Sequence, residues 1–475
     1  MLFNTWTFAV FAPTFALLYF LAHGRSRLWV MLIGSFLFYA WWDWRFLFLL
    51  LFISLVAYAI GLVLDDGGDP QLRKRLLQLS IVVDVGVLGF FKYFNFFADS
   101  AARVSAALGL PVTYDALKIV LPVGISFYVF KTMSYTIDVY KGVQEPEHDL
   151  LRFTTFVVFF PELVAGPIVR ASRLLPQMKR DHPFDSDRMM SALALIASGY
   201  VRKVVIADSL APLVDVRFND PSSHSSLSLL IGVYFYAAQI YSDFSGYSNI
   251  AIGLGRLFGF DLGINFDRPY WSRSFSEFWT RWHVSLSTWL RDYLYVPLGG
   301  NRGGTWMTVR NLMITMLLGG LWHGAKWTFV AWGALHGLYL VSERVVGSPI
   351  GRIARALRIP RLVCDVLLVL VVFHLTCLGW VLFRASSFTR AWEIVHGIAS
   401  LRGMSFDSVP QKFLVIKGMM LAGALFVFEA ATFLTNSVRS FLQRPVIRLS
   451  FIAACIWVLL TFGTFSGNTF IYFQF

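Results

Sequence analysis

The sequence predicts an all-α protein that crosses a membrane many times, and three observations carry that prediction. Hydrophobic residues make up 57% of the 475 positions and charged residues 15%, with a mean hydropathy of +0.62, far from the balance of a water-soluble domain. Apolar stretches follow one another with short connections along most of the chain. One stretch ends in a histidine, His323, and an ionisable side chain at membrane depth is a functional hypothesis by default because keeping it there is costly.

A membrane-crossing helix needs about 20 mostly apolar residues. The first candidate, Thr5–Ala22, lacks the basic flank and small-residue cleavage site of a signal peptide, so it reads as a retained helix. Leu28–Trp42, Phe46–Leu64, Leu76–Phe97 and Ala116–Met133 follow. Thr154–Val164, with Pro161 and Pro167 at its end, reads as a re-entrant piece instead of a full span. Met189–Ile206 and Ser228–Asp243 precede a polar centre; Val309–Leu321, Trp327–Val341, Leu362–Phe383, Phe413–Leu434 and Leu449–Phe462 come after it. The expectation is about twelve transmembrane or partly spanning helices in one integral bundle, residues 1–475.

The net charge of +13 comes from basic residues in short loops, which a positive-inside bias explains more simply than nucleic-acid binding does. Arg25/Arg27, Arg73/Lys74/Arg75, Arg170 to Arg188, Arg344 to Arg361 and Arg439/Arg444/Arg448 then face the cytoplasm, with both termini outside. Cys364, Cys377 and Cys455 lie in apolar runs without CxxC spacing, which indicates packing and neither a disulfide framework nor zinc. No internal repeat of the transporter kind is visible.

The centre, Asn265 to Gly304, is too polar to span lipid and too aromatic for an idle loop. Helical periodicity over Ser276–Leu290 puts Phe278, Trp282, Ser285 and Trp289 on one stripe, the pattern of core packing. Thr280, His283, Ser287 and Arg291 fall on the other side, and Glu277 with Arg281 makes an ordinary i,i+4 pair. His283 admits two readings, a satisfied structural histidine or a catalytic one. The turn Leu298-Gly-Gly-Asn-Arg-Gly-Gly304 is weak evidence by itself, although such backbone can cradle phosphates.

His323 differs in its setting. Val309–Leu321 rises only about 20 Å at 1.5 Å per residue, short of a hydrocarbon core about 30 Å thick, which places His323 within the membrane. Gly319, Gly320 and Gly324 permit close approach of a helix or a thin ligand. A neutral imidazole suits removal of a proton from a hydroxyl attacking an acyl carbon. His336, nearly opposite on a continuous helix, forms no i,i+4 pair with it, and no metal is expected.

Five stretches resemble the membrane-bound O-acyltransferase family in its bacterial branch: Leu121-Pro-Val-Gly-Ile-Ser-Phe-Tyr128, Phe160-Pro-Glu-Leu-Val-Ala-Gly-Pro167, Tyr241-Ser-Asp-Phe-Ser-Gly-Tyr-Ser248, Phe278-Trp-Thr-Arg-Trp-His-Val-Ser-Leu-Ser-Thr-Trp-Leu-Arg-Asp-Tyr293 and Gly319-Gly-Leu-Trp-His-Gly324. The last two together are highly specific. The resemblance covers a core of about residues 1–384, leaving C-terminal helices over 385–462 and an aromatic tail over 463–475. It implies a helical ring around a central tunnel, His323 as the family's intramembrane histidine and His283 as the second histidine of the branch. It implies a cytoplasmic thioester donor, acetyl-CoA or another acyl carrier, and an extracytoplasmic polysaccharide acceptor such as alginate or a related exopolysaccharide. Acetyltransferase partner proteins, periplasmic or membrane-anchored, and the bacterial inner membrane belong to the same picture.

The tail Thr469-Phe-Ile-Tyr-Phe-Gln-Phe475 reads as an interfacial anchor or, by resemblance to a motif in partner peptides of teichoic-acid D-alanylation, as an acyl carrier through Tyr472. Trp282, Trp322 and Asn311 are candidate oxyanion donors. Asp243 and Ser245 either orient a catalytic group or cap a helix end. The competing classes are a transporter or flippase with proton-relay histidines, and a family member acting on peptidoglycan, lipid or protein.

Overall fold

The computed structural model describes residues 1–65, 68–110, 116–356, 360–434, 444–465 and 470–471. Among these every regular element is a helix, so the all-α expectation holds. The chain divides into two compact units, residues 1–192 with 251–263, and residues 193–250 with 264–475.

The first unit holds α1 (Trp6–Leu21), α2 (Arg25–Asp43), α3 (Phe46–Asp65), α4 (Pro70–Leu88), α5 (Phe94–Ala107), α6 (Ile125–Tyr140), α7 (Leu150–Val158), α8 (Phe160–Leu163) and α9 (Ala171–Met178). Thr5 caps α1 by accepting from Phe8 N, and Asp69 caps α4 just before Pro70. The predicted span Ala116–Met133 is helical only from Ile125. Gly124 there adopts φ +75°, and a Cβ would collide with Leu163 O. The nine-residue α7 rises about 14 Å, too short to span, and Phe159 in non-helical backbone separates it from α8, whose second residue is Pro161. Lys131 on α6 fastens that buried corner: its ammonium pairs with Glu162 and donates to Phe156 O, with both charged side chains fully buried.

α10 (Ser186–Tyr200) leads into the second unit, which continues with a π-helical stretch Val201–Ala207, α11 (Asp208–Asn219) and α12 (Ser226–Leu257). After the polar centre come α15 (Gly304–His323), α16 (Trp327–Ala356), α17 (Arg361–Arg384), α18 (Phe388–Ala399), α19 (Lys412–Leu434) and α20 (Pro445–Phe462), the centre itself carrying α13 (Phe275–Arg281) and α14 (Val284–Leu290). Among the described residues six segments are long and apolar enough to cross a membrane: Phe46–Leu64, Pro70–Ala107, Ser186–Asn219, Arg361–Arg384, Lys412–Ala431 and Pro445–Phe462. The other predicted spans lie on helices that are shorter or more polar, and this is a multi-pass membrane protein. α15 and α16 form a close hairpin because Gly320 and Gly333 face each other; a Cβ on either would strike a backbone carbonyl, Phe329 O or Met316 O.

Two sequence expectations change here. α15 starts at Gly304, so its 20 residues rise about 30 Å, and the short-span argument for the depth of His323 does not hold. The continuous helix expected over Ser276–Leu290 is broken at Trp282–His283, where His283 takes the left-handed conformation, φ 44° and ψ 54°. Loop backbone causes the break: Asp267 N donates to Arg281 O and Val284 N to Asn265 O, each at 2.9 Å, removing these groups from helical pairing.

Candidate active site

The break at His283 and the end of α15 bring two imidazoles together in the second unit. The rings of His283 and His323 are 6.2 Å apart between centroids, and both residues are buried. The Trp322 ring packs against both, at 5.6 Å from His283 and 5.0 Å from His323. Trp332, one helix later, stands edge-on to His323 at 5.0 Å and 4.8 Å from His336, so one indole separates those two histidines. Among the described residues no group of three His, Cys, Asp or Glu could hold a metal ion.

His283 is held from several sides. Phe244 packs edge-on against its ring at 4.6 Å. Asn265, a loop residue with no local mark of function, fixes the start of α14: its side-chain carbonyl oxygen accepts from the Ser285 hydroxyl at 2.9 Å and its amide donates to Ser248 at 3.1 Å. A non-glycine residue in left-handed backbone stores strain that surrounding structure must hold, a recurrent mark of functional sites. Burial pushes the His283 imidazole down to about 3, so it is neutral at pH 7.

His323 lines a cavity of about 360 Å³. Its walls are largely aliphatic and aromatic, including Trp279, Leu286, Met316 and Trp332, with the hydroxyls of Thr280, Ser287, Thr288 and Thr315 among them. Arg291, well exposed and paired with Asp292 at 2.7 Å, is its charged lining residue. Thr280, Ser287 and Arg291 line this one cavity although the helix expected to align them is broken between Thr280 and Ser287, and His283, at the break, is not among the lining residues.

Other candidates move. Asn311 does not serve as an oxyanion donor near His323: twelve residues earlier on α15 places it about 18 Å along the axis. It instead donates to Gly300 O at 3.0 Å and accepts from Arg310, fastening the glycine turn. Trp282 is buried in an aromatic stack with Phe278 and Trp380. Asp243 and Ser245 lie in the middle of α12, which removes the helix-capping reading. The pair Glu277–Arg281 is the expected i,i+4 contact at 2.7 Å.

Asp243 belongs to a buried ionic cluster that sequence reasoning missed. Lys203 lies 2.6 Å from Asp243 and 2.9 Å from Asp208; a lysine inside the apolar run Met189–Ile206 was the available signal. The second Asp243 oxygen accepts from Ile471 N at 2.9 Å. Phe470 stacks on Tyr247 at 4.8 Å and meets Phe244 at 5.6 Å, the same ring that packs on His283. Tyr472 and Thr469 lie outside the described residues.

Residues 143–385 match the membrane-bound O-acyltransferase family. The chain is 45% identical to a probable alginate O-acetylase of Azotobacter vinelandii over 395 residues, which is 82% of this chain and 76% of that one. It is 34% identical to the peptidoglycan O-acetyltransferase of Helicobacter pylori over 439 residues, 85% of this chain and 81% of the relative. The teichoic acid D-alanyltransferase of Streptococcus thermophilus is 32% identical over 235 residues, 46% of this chain and 55% of that protein.

Proposed function

The chain belongs to the membrane-bound O-acyltransferase family and is an O-acyltransferase, and from that premise we propose that it moves acetyl groups from a cytoplasmic thioester toward an extracytoplasmic polysaccharide. The donor is acetyl-CoA or another acyl thioester, and the setting is the bacterial inner membrane. The observation that carries this reading is the placement of His323 on a largely apolar cavity with a second imidazole behind it. His323 takes the proton of the attacking hydroxyl as its oxygen bonds to the acyl carbon; the carbon–sulfur bond then breaks and the thiolate recovers a proton. His283, neutral and fixed by Asn265 and Phe244, orients the Trp322–His323 side of the site.

Tyr472 is the acceptor of the first transfer in this reading, dividing one difficult step into two covalent ones. Support comes from the preceding residue: Ile471 is hydrogen-bonded to Asp243, and Phe470 packs on the ring that touches His283. The acetyl group then passes to a periplasmic or membrane-anchored partner acetyltransferase and on to an exopolysaccharide such as alginate. The peptidoglycan O-acetyltransferase among the relatives gives a second acceptor a specific basis. One experiment addresses both: O-acetyl content of exopolysaccharide and of peptidoglycan in cells carrying His323→Ala beside wild type. Loss by at least about 100-fold, the usual worth of a general base, is expected in the exopolysaccharide at equal protein level. Unchanged acetylation of both polymers sinks the assignment, and loss confined to peptidoglycan moves the acceptor.

A further inference from the structure

A second cavity, about 670 Å³ and sharing no lining residue with the first, lies in the second unit between α12, α17, α19 and the turn Pro269–Trp271. Leu362, Val366, Val369, Leu370 and Phe373 recur along one face of α17 at helical spacing and form its long wall. The eleven-residue rise from Leu362 to Phe373 is about 16 Å at 1.5 Å per residue, the depth of one leaflet of a hydrocarbon core about 30 Å thick. Met419, Ala422 and Phe426 supply the facing wall from α19, and both helices belong to membrane-crossing segments. Such a groove facing a bilayer takes up a hydrocarbon chain.

Its two charges stand together at one end. Arg273 Nη1 lies 3.2 Å from Asp365 Oδ2, with the side chains 46% and 35% exposed, and Asp365 falls just after the start of α17; the other carboxylate near Arg273, Glu277 at 3.6 Å, is not a lining residue and is itself paired with Arg281 at 2.7 Å. The remaining lining is aliphatic or aromatic. A cation and a carboxylate side by side complement a headgroup that also carries both signs. A phosphate suits the guanidinium fork, and a primary ammonium offers three N–H donors to the carboxylate. A glycerol headgroup brings the same phosphate to Arg273 but no ammonium to neutralise Asp365 once the guanidinium is shared, and a choline has no N–H to donate. From this geometry we infer that the groove is a binding site for a phospholipid with a phosphoethanolamine headgroup, one acyl chain lying along α17 and the headgroup spanning Arg273 and Asp365.

The site is independent of the transfer chemistry, so its test uses binding alone. The full chain, purified in mild detergent, is incubated with an equimolar mixture of phosphatidylethanolamine and phosphatidylglycerol, and retained lipid is identified by native mass spectrometry. Wild type retains the ethanolamine lipid about fivefold over the glycerol lipid, the scale of one partly exposed ion pair. Asp365→Asn removes that preference. Ala422→Trp fills the groove and lowers retention of both lipids; Val369→Trp, on the opposite wall, does the same if the first variant fails to give monodisperse protein. Equal retention of the two lipids by wild type, an unchanged ratio in Asp365→Asn, or full retention in the groove-filling variant overturns the inference.

Discussion

His323 and His283 differ in what surrounds them, and the difference makes separate predictions. His323 touches a cavity, and as the proposed base its removal is expected to act on chemistry. His283 is sealed among Phe244, Phe266 and Trp322, and burial lowers its pKa to about 3. In the unfolded chain the same imidazole titrates near the ordinary value of about 6.5. As pH falls below that value the unfolded state binds a proton that the native state refuses until about pH 3, so native stability declines across this window and is unaffected above it. Replacing His283 with Gln removes the titrating group. The thermal midpoint in detergent should therefore fall less steeply between pH 6.5 and pH 4 in His283→Gln than in wild type; equal slopes would show that this histidine is not buried in neutral form. Both histidines were legible in the sequence, because an ionisable group in an apolar or aromatic context is conspicuous. Asn265 and Trp332 were not, since an asparagine in a loop and a tryptophan in a span carry no local mark of what they touch.

The local pattern is a poor guide where distant backbone decides an element. Over Ser276–Leu290 the apolar stripe is regular, yet the helix breaks because residues 265–267 pair with the backbone of residues 281–284. Asn265→Ala should test what the side chain adds to that coupling. It leaves the backbone bond from Val284 N in place but removes acceptor and donor contacts to Ser285 and Ser248, a loss of about 1–3 kcal/mol for buried hydrogen bonds, and loosens the start of α14. Transfer should fall at a temperature where the variant is still fully folded, with kcat reduced more than KM; activity loss that merely tracks unfolding would reduce Asn265 to a structural residue. The α15–α16 hairpin gives a second test. A methyl group at Gly320 has no space against Phe329 O, so Gly320→Ala should part the helices at a cost of about 1–3 kcal/mol and disturb the His323–Trp332 contact. A variant with wild-type midpoint and activity would contradict this packing. The glycines themselves were visible in the sequence, but the helix partner they admit was not.

Across the whole chain, contacts distant in sequence bind the C-terminal helices and tail into the second unit. Glu429 on α19 pairs with Arg202 at 3.0 Å and accepts from Tyr241, 188 residues earlier. Thr464 N donates to Val204 O at 3.1 Å, and Ile471 N to Asp243. Residues beyond the family match at 385 are therefore part of the core, which composition could not reveal because apolar helices look alike before they pack. The tail calls for a finer division between anchoring and chemistry. Deleting residues 470–475 removes Phe470 from its stack on Tyr247 and the donor to Asp243, so both the midpoint and transfer should drop. Tyr472→Phe removes a single hydroxyl and leaves the Ile471 N–H in place. If the tail is an acyl carrier, this variant keeps the wild-type midpoint and protein level while exopolysaccharide acetylation collapses. If the tail is only an anchor, acetylation survives Tyr472→Phe and fails with the deletion, and the hydroxyl that attacks at His323 must then be sought on a partner protein or on the polysaccharide itself.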